Sequence, residues 1–516
     1  MTAPTVPTAP GSVPGDLNED LLARSVWTDA DVAAAGIPLV DVPMVSVGGG
    51  IGSFVMADIL RVSGMPAASM AVLSPLDYPW QTYEYLTRAS QVPATERLRS
   101  DSASSPDNIW GFPSLAMREG WKDKTLKPLI NVATEPILNN YWTPRAGTVF
   151  AGLQREAARI GYWPMVHKGL VRFTRRRHGG GYFTILTPPE GTSATKRVAY
   201  RSQFVHVAVG YPGLKFLDDL QDFRVLHPGS QRVVNAYENH EHIYAELAAR
   251  PSTVLLRGAG IVASRVLQRL IDDRDRLGLQ TRIAHLFRTY YDGPHGPSIF
   301  MRRKGADGWA YQGFNYPKSA WGGQLWKKMR DLEGEQRAAL YDTIGGTNTP
   351  VRKDWQEQLA RGRREGFYRA FVGKTQKVDL DDSGQTVITT YADRNGAVGT
   401  LEAQYVIDCT GLEADITEHR LLADLLQHSG AGRNPKGRLD VERTFEIRGT
   451  GNHPGKMYAV GSMTLGGYFP GVDTFLGLQL AGMEIQRDLA RQGFVPRLTP
   501  SRSMSQWLKW CSGSAI

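Results

Sequence analysis

The sequence predicts an α/β protein made of two similar units, one inserted into the other, and three observations carry that prediction. Two glycine-rich turns lie about 210 residues apart, at Gly48-Gly-Gly50-Ile-Gly52-Ser53 and at Gly258-Ala-Gly260-Ile-Val-Ala263-Ser264. Each is followed at a similar distance by a strand that closes on glycine: Gly210 lies 162 residues after Gly48, and Gly411 lies 153 after Gly258. A last short strand, 456–460, also ends in glycine, at Gly461, and leads into a C-terminal helix.

Each turn follows an apolar run of strand length, ending Val45-Ser-Val in one case and Val254-Leu-Leu-Arg in the other. Each opens an apolar-periodic helix, Phe54 to Val62 and Val266 to Leu277. Glycine allows the tight turn and lets the backbone approach a pyrophosphate, while the helix N-terminus presents free N–H groups and a positive dipole. A single turn of this type is a weak signal. Two of them, each in a complete βαβ context, point to two nucleotides held at once.

The stretches between turn and closing glycine repeat the same order. In the first unit a loop-rich segment runs to about residue 140 and a helix covers Pro144 to Ile160. Three strands follow at Leu170 to Arg175, Tyr182 to Leu186 and Arg197 to Val209. In the second unit the strands are Ala370 to Leu380, Thr386 to Ala392 and Thr400 to Cys409, joined by turns at Asp381-Asp-Ser-Gly384 and Arg394-Asn-Gly396. Alternation bounded by Gly, Asn and Asp is the pattern of a β-meander. The closing helix begins near Asp473-Thr474 and runs to about Gln492.

Composition narrows the class. The 516 residues, 41% hydrophobic and 22% charged, suit globular domains with substantial cores. No apolar run approaches the ~20 residues that span a bilayer. The first residues are rich in Pro, Thr, Ala and Gly without the pattern of a signal peptide, so 1–40 reads as a disordered or irregular lead-in. Two cysteines, Cys409 and Cys511, exclude a disulfide scaffold and suggest a reducing cytoplasm. The net charge of +9 is spread over short clusters such as Arg175-Arg-Arg177, with no nucleic-acid-binding motif, and suits an anionic cofactor better.

This order of elements resembles the two-dinucleotide-binding-domain flavoproteins, the superfamily of flavin-containing monooxygenases, microbial N-hydroxylases, Baeyer–Villiger monooxygenases and thioredoxin reductases. The resemblance covers roughly residues 42–493. It implies two Rossmann-like domains: an FAD domain from 41–249 and 412–516, and an NAD(P) domain at 250–411 inserted into it. Gly48, Gly50, Gly52 and Ser53 are similar to the FAD fingerprint, and Gly258, Gly260, Ala263 and Ser264 to the NAD(P) one. Gly210 and Gly411 match the segments where the chain crosses between domains. Gly461 and Ser462 match the C-terminal FAD segment, which implies that the backbone at Asp473, Thr474 and Phe475 lies near the flavin ring.

Two positions depart from the family. The second strand of the FAD unit ends in Ser74 rather than an acid, with Asp77 a little beyond, and Ser462 replaces the usual Asp. Serine exchanges hydrogen bonds but brings no charge. In the second unit the corresponding strand ends in Arg288, a cation suited to a 2′-phosphate, which favours NADPH; the plain alternative is an arginine paired with solvent or an acid. Arg257 and Arg265 are phosphate contacts or structural.

The absence of a Cys-x-x-Cys argues against the disulfide-reductase branch. The monooxygenase branch implies that NADPH reduces FAD and that a flavin C4a-(hydro)peroxide oxygenates a small molecule with O₂, with N- or S-oxygenation favoured over ketone oxidation. A partial match to the branch's linker motif makes His227 a candidate for positioning the cofactors, beside the reading of a simple loop histidine. Asn139 and Asn140 are candidates to offer an amide to the oxygenating flavin. The aromatic residues of 77–143 line a pocket or pack over the sheet, and Trp507-Leu-Lys-Trp510 touches a partner or membrane surface or packs onto the body. Two alternatives stand beside the monooxygenase: a flavin-dependent reductase or dehydrogenase, and a non-catalytic nucleotide-binding member. No metal is expected, and homo-oligomerisation is open.

Overall fold

The computed structural model describes residues 15–98, 105–138, 142–211, 213–295, 305–311, 324–344, 349, 352–413 and 415–516. Two five-stranded parallel sheets organise it. The first has the order Lys456–Ala459, Phe204–Val207, Met44–Val47, Met70–Ser74, Val166–Lys168. Its central strands are buried at every residue, as apolar runs covered on both faces by helices must be. The helices Ile51–Val62 and Phe475–Arg491 pack together on it, so the sheet and its core join the two ends of the chain.

The second sheet has the order Val233–Asn235, Tyr405–Asp408, Thr253–Arg257, Arg282–Phe287, Tyr368–Val372, again all parallel. The strand Val233–Asn235 belongs to it, so the second unit begins before the predicted boundary at residue 250. Its helix Ile261–Leu277 carries a buried stripe from Val262 to Ile271. Each sheet is accompanied by an antiparallel meander: Leu170–Arg177, Tyr182–Thr187 and Val198–Ser202 in the first unit, Lys374–Leu380, Val387–Ala392 and Val398–Ala403 in the second.

Several expectations are corrected here. The strands predicted over 197–209, 370–380 and 400–409 each divide, at Gln203, Gly373 and Gln404, into a meander strand and a parallel-sheet strand. Continuous alternation hides such a bend, because one residue is enough to carry the chain from one sheet to the other. Both helices that follow the glycine turns start earlier than predicted, at Ile51 and Ile261, since Gly50 and Gly260 are themselves the N-caps. The segment read as loop-rich contains helices at Gln81–Ala89, Phe112–Lys122 and Lys127–Leu138.

Residues 15–40 are not an irregular lead-in. Val26–Trp27 and Leu39–Asp41 add parallel edges to the first meander, and the fully buried Trp27 donates its indole N–H to the Leu21 carbonyl at 2.8 Å. At the other end, the C-terminal helix Pro500–Ser512 packs Trp510 against Phe112 and Trp142, and Trp507 donates to Ser114 Oγ at 3.1 Å. The tail tryptophans therefore pack onto the body. Among the described residues, no helix is long and apolar enough to cross a membrane.

Candidate functional site: two glycine turns and the cleft between the units

At the first turn, Gly48 and Gly49 have φ of 119° and 66°. A Cβ on Gly48 would lie 2.3 Å from the Ala208 carbonyl oxygen, and one on Gly49 would lie 2.0 Å from Ser74 Oγ. Only glycine permits this backbone at this approach. Gly50 caps the helix without a side chain, so the first N–H groups of Ile51–Val62 stay free for an anion. Beneath the turn lies a buried string of polar groups that sequence reasoning missed. The Gly49 N–H donates to Ser53 Oγ at 3.1 Å, Ser46 Oγ donates to Ser53 Oγ at 2.9 Å, and Ser46 Oγ is 2.9 Å from His206 Nδ1. Burial pulls His206 down to about 3, so the imidazole is neutral and adds no charge beneath the turn. Its signal was a histidine inside the apolar run Phe204-Val-His-Val.

The two departures take different forms. Ser74 Oγ packs on Gly49 and accepts the Leu76 N–H at 3.0 Å, while Asp77 is exposed and ion-paired with Lys168 at 2.8 Å. A carboxylate is thus not held over the turn. Ser462 follows Gly461 and is buried, yet its hydroxyl has no hydrogen-bond partner among the described residues. A Cβ on Gly52 would lie 3.5 Å from Leu478 Cδ2 and one on Gly461 3.7 Å from the same atom, so the C-terminal segment lies close to the first turn.

The second turn repeats the geometry with other partners. Gly258 has φ 110°, and a Cβ there would lie 2.6 Å from the Cys409 carbonyl oxygen. Gly260 is again an N-cap without a side chain, Ala263 is fully buried, and Ser264 Oγ accepts from Thr349 Oγ1 at 2.8 Å. His285, another buried histidine in an apolar strand, lies 2.6 Å from the Gly258 carbonyl through Nε2 and 3.0 Å from the Tyr368 hydroxyl through Nδ1. A carbonyl can only accept, so Nε2 carries the proton and Nδ1 accepts from Tyr368. Burial holds this ring at about 4, again neutral.

The chain crosses between units at a short antiparallel pair, Gly213–Leu214 with Leu412–Glu413. Buried Asn235 ties both crossings, donating from Nδ2 to the Lys215 carbonyl at 2.7 Å and to that of Gly411 at 3.5 Å. Gly210 and Gly411 therefore act at the hinge, with φ of 74° and 131°.

Beside this hinge a cleft of about 1450 Å³ opens between the units. One wall holds Gly258, Gly260, Arg288 and Gly411; the other holds Tyr83, Asp473, Thr474 and Phe475. Thr474 caps the helix Phe475–Arg491 by accepting the Gly477 N–H at 3.1 Å, which leaves the N–H groups of Phe475 and Leu476 without an intrahelical acceptor. Tyr211 donates its hydroxyl to Asp473 at 2.7 Å, and the Tyr83 and Phe475 rings meet at 5.0 Å. Of the aromatic segment 77–143, Tyr83 lines the cleft, whereas Trp110, Phe112 and Trp142 pack against the C-terminal helix.

Arg288 is exposed at the end of its strand, lines the cleft and makes no ion pair among the described residues. Arg257 pairs with Asp219, and Arg265 with Glu96 at 3.0 Å, so both are committed to protein partners. His227 caps the helix Asp218–Leu226 and meets Asp379 at 2.9 Å; the cleft is lined by its neighbour Leu226 and not by His227. Asn139 and Asn140 lie outside the described residues. Cys409 lines the cleft, but burial raises its thiol well above the usual range, and Cys511 lies on the C-terminal helix. No group of three or more metal-ligating side chains occurs among the described residues.

No protein-family model and no curated protein matches this chain by sequence. Solved structures do match it. An ornithine hydroxylase from Pseudomonas aeruginosa is 18% identical, with 88% of this chain and 99% of that one covered at a TM-score of 0.62. A cadaverine monooxygenase from Erwinia amylovora, solved with FAD, is 12% identical over 89% and 96% at 0.65. An ornithine N-hydroxylase from Kutzneria sp. 744, solved with reduced FAD, NADP⁺ and L-ornithine, is 14% identical over 88% and 100% at 0.62. With two parallel sheets, two meanders and a double crossing, this chain has the fold of the two-dinucleotide-binding flavoproteins.

Proposed function

We propose that the protein is an NADPH- and FAD-dependent monooxygenase that oxygenates a nitrogen or sulfur of a small molecule. The observation that carries this reading is the cleft, in which the second glycine turn and Arg288 face the free N-terminus of the helix Phe475–Arg491. The solved ornithine and cadaverine hydroxylases share the fold.

The residues fit FAD on two of three counts. Gly48, Gly50 and the uncapped helix behind them suit a pyrophosphate, and the buried hydroxyl of Ser462, without a partner among the described residues, suits a ribityl hydroxyl. At the adenosine ribose the fit is a neutral one, since Ser74 takes the place of a carboxylate. FAD bound there would supply hydride acceptance and activation of O₂. The chain supplies the rest. The N–H groups of Phe475 and Leu476 and the helix dipole stabilise negative charge on the ring. Arg288 holds the 2′-phosphate of NADPH from the opposite wall. Tyr83 and Phe475 form an apolar rim that limits water on that side of the cleft. The two unpaired cysteines offer no dithiol relay and fit a reducing cytoplasm.

The test is NADPH oxidation by the purified protein with O₂ uptake and product analysis on diamines and diamino acids. Arg288→Ala should raise the KM for NADPH about 10–100-fold, the worth of one or two charge-assisted hydrogen bonds, and leave that for NADH nearly unchanged. Equal effects on both coenzymes refute the phosphate assignment. NADPH oxidation without any oxygenated product would make the protein a reductase.

A further inference from the structure

We propose that the helical hairpin 112–138 carries, at its tip, a peripheral docking site for an anionic lipid surface. Three large apolar side chains stand out there: Trp121 is 89% exposed, Leu126 69% and Ile130 56%. A tryptophan so bare contrasts with Trp27, Trp309 and Trp355, which are fully buried. The tip is a built corner. The Asp123 N–H donates to the Glu119 carbonyl at 2.8 Å, the Thr125 N–H donates to that of Gly120 at 2.9 Å, and Lys124 turns the chain at φ 52°.

The inner face of the hairpin is already satisfied, because Phe112, Leu115 and Ala116 pack with Trp142 and Trp510. Trp121 lies five residues past Ala116, about 140° round the helix, and so faces away from that core. Leu126 and Ile130, four apart, share one side. The C-terminal helix braces that same inner face, with the Arg118 guanidinium 4.3 Å from the Trp510 ring centre. The basic–aromatic surface of this region is therefore the tip and not the tail.

Charge selects the occupant. Lys122, Lys124 and Lys127 are exposed around the apolar triad and make no ion pair among the described residues, against Asp123 as the acid between them. Tryptophan settles at the headgroup level of a bilayer, and lysine stems snorkel toward anionic headgroups. A second copy is disfavoured, since a two-fold contact through the tip would bring two sets of three lysines together. The chain as a whole, at net charge +9, is drawn to the same kind of surface.

The experiment uses the full chain and sedimentation with vesicles of phosphatidylcholine alone or with about one-third phosphatidylserine. The wild type should partition onto the anionic vesicles, not the neutral ones, and release as salt rises. Trp121→Ser, and separately the triple change of Lys122, Lys124 and Lys127 to Glu, should each weaken partitioning at least tenfold. All these positions are exposed, so circular dichroism and melting should match the wild type and NADPH turnover should be untouched; this separates the outcome from that of the proposed activity. Absence of partitioning, or partitioning that both variants retain, overturns the proposal. A change in sedimentation coefficient with Trp121→Ser in the absence of lipid also overturns it, and makes the tip an interface between protein chains.

Discussion

Replacing Gly258 with Ala tests whether the second turn is a nucleotide cradle whose geometry cannot give. Gly258 lies one residue past the strand Thr253–Arg257, and its Cβ would fall 2.6 Å from the Cys409 oxygen and 2.8 Å from the Cys409 carbonyl carbon. That neighbour cannot retreat: Cys409 follows a fully buried strand, Tyr405–Asp408, and its N–H donates to the Arg257 carbonyl at 2.7 Å. A φ of 110° adds its own penalty for an L side chain. Forced backbone strain of about 1–3 kcal/mol and overpacking of about 1–3 kcal/mol together suggest about 2–6 kcal/mol. Relief by moving the turn would pull the first N–H groups of the helix off the pyrophosphate, so NADPH affinity should fall about 30-fold or more at 1.4 kcal/mol per decade. Fluorescence titration with NADPH and a thermal melt read the two effects. The control is Gly278→Ala, a helix C-cap with φ 66° and nothing within 4 Å, which should cost about 1 kcal/mol of stability and leave NADPH affinity unchanged. If Gly258→Ala binds NADPH and melts like the wild type, the close-approach reasoning is wrong.

Two further predictions concern buried polar groups. Ser462→Ala removes a hydroxyl with no partner among the described residues, so the apoprotein should be equally or slightly more stable, while FAD retention in dialysis falls about threefold to tenfold; unchanged retention would detach Ser462 from the flavin. Burial raises the Asp107 carboxyl to about 6 from 3.8. The native chain then binds a proton that the unfolded chain releases between those values, so this stability is full below about pH 4 and is lost as pH climbs through 6. The loss is about 3 kcal/mol. Asp107→Asn should flatten that part of the melting-temperature profile and exceed the wild type at pH 8; an unaltered slope would refute the assignment.

Much of the architecture was legible because it is written in local chemistry. A glycine that must adopt positive φ after an apolar run, and a strand that must end in glycine to change units, leave marks at single positions. The same locality made Arg288 readable as a cation at a strand end. Packing leaves no such mark. The bends at Gln203, Gly373 and Gln404, the hairpin beneath the C-terminal helix and the edge strands from residues 15–41 depend on which surface each segment meets. His206 and His285 appear in the sequence as isolated polar residues in strands; only the fold shows that each supports a glycine turn and that desolvation keeps it neutral.

The sequence by itself determined that there are two glycine turns, their order and their closing glycines, because backbone conformation at a tight turn is set by the residues in it. Tertiary structure decided which candidate side chains share a space. It set Arg288 and Gly258 across a cleft from Thr474 and Phe475, and it turned His227 toward Asp379 instead. It also committed Arg257 and Arg265 to acids far away in the chain, since a charge is disposed of by whatever partner the fold brings within reach.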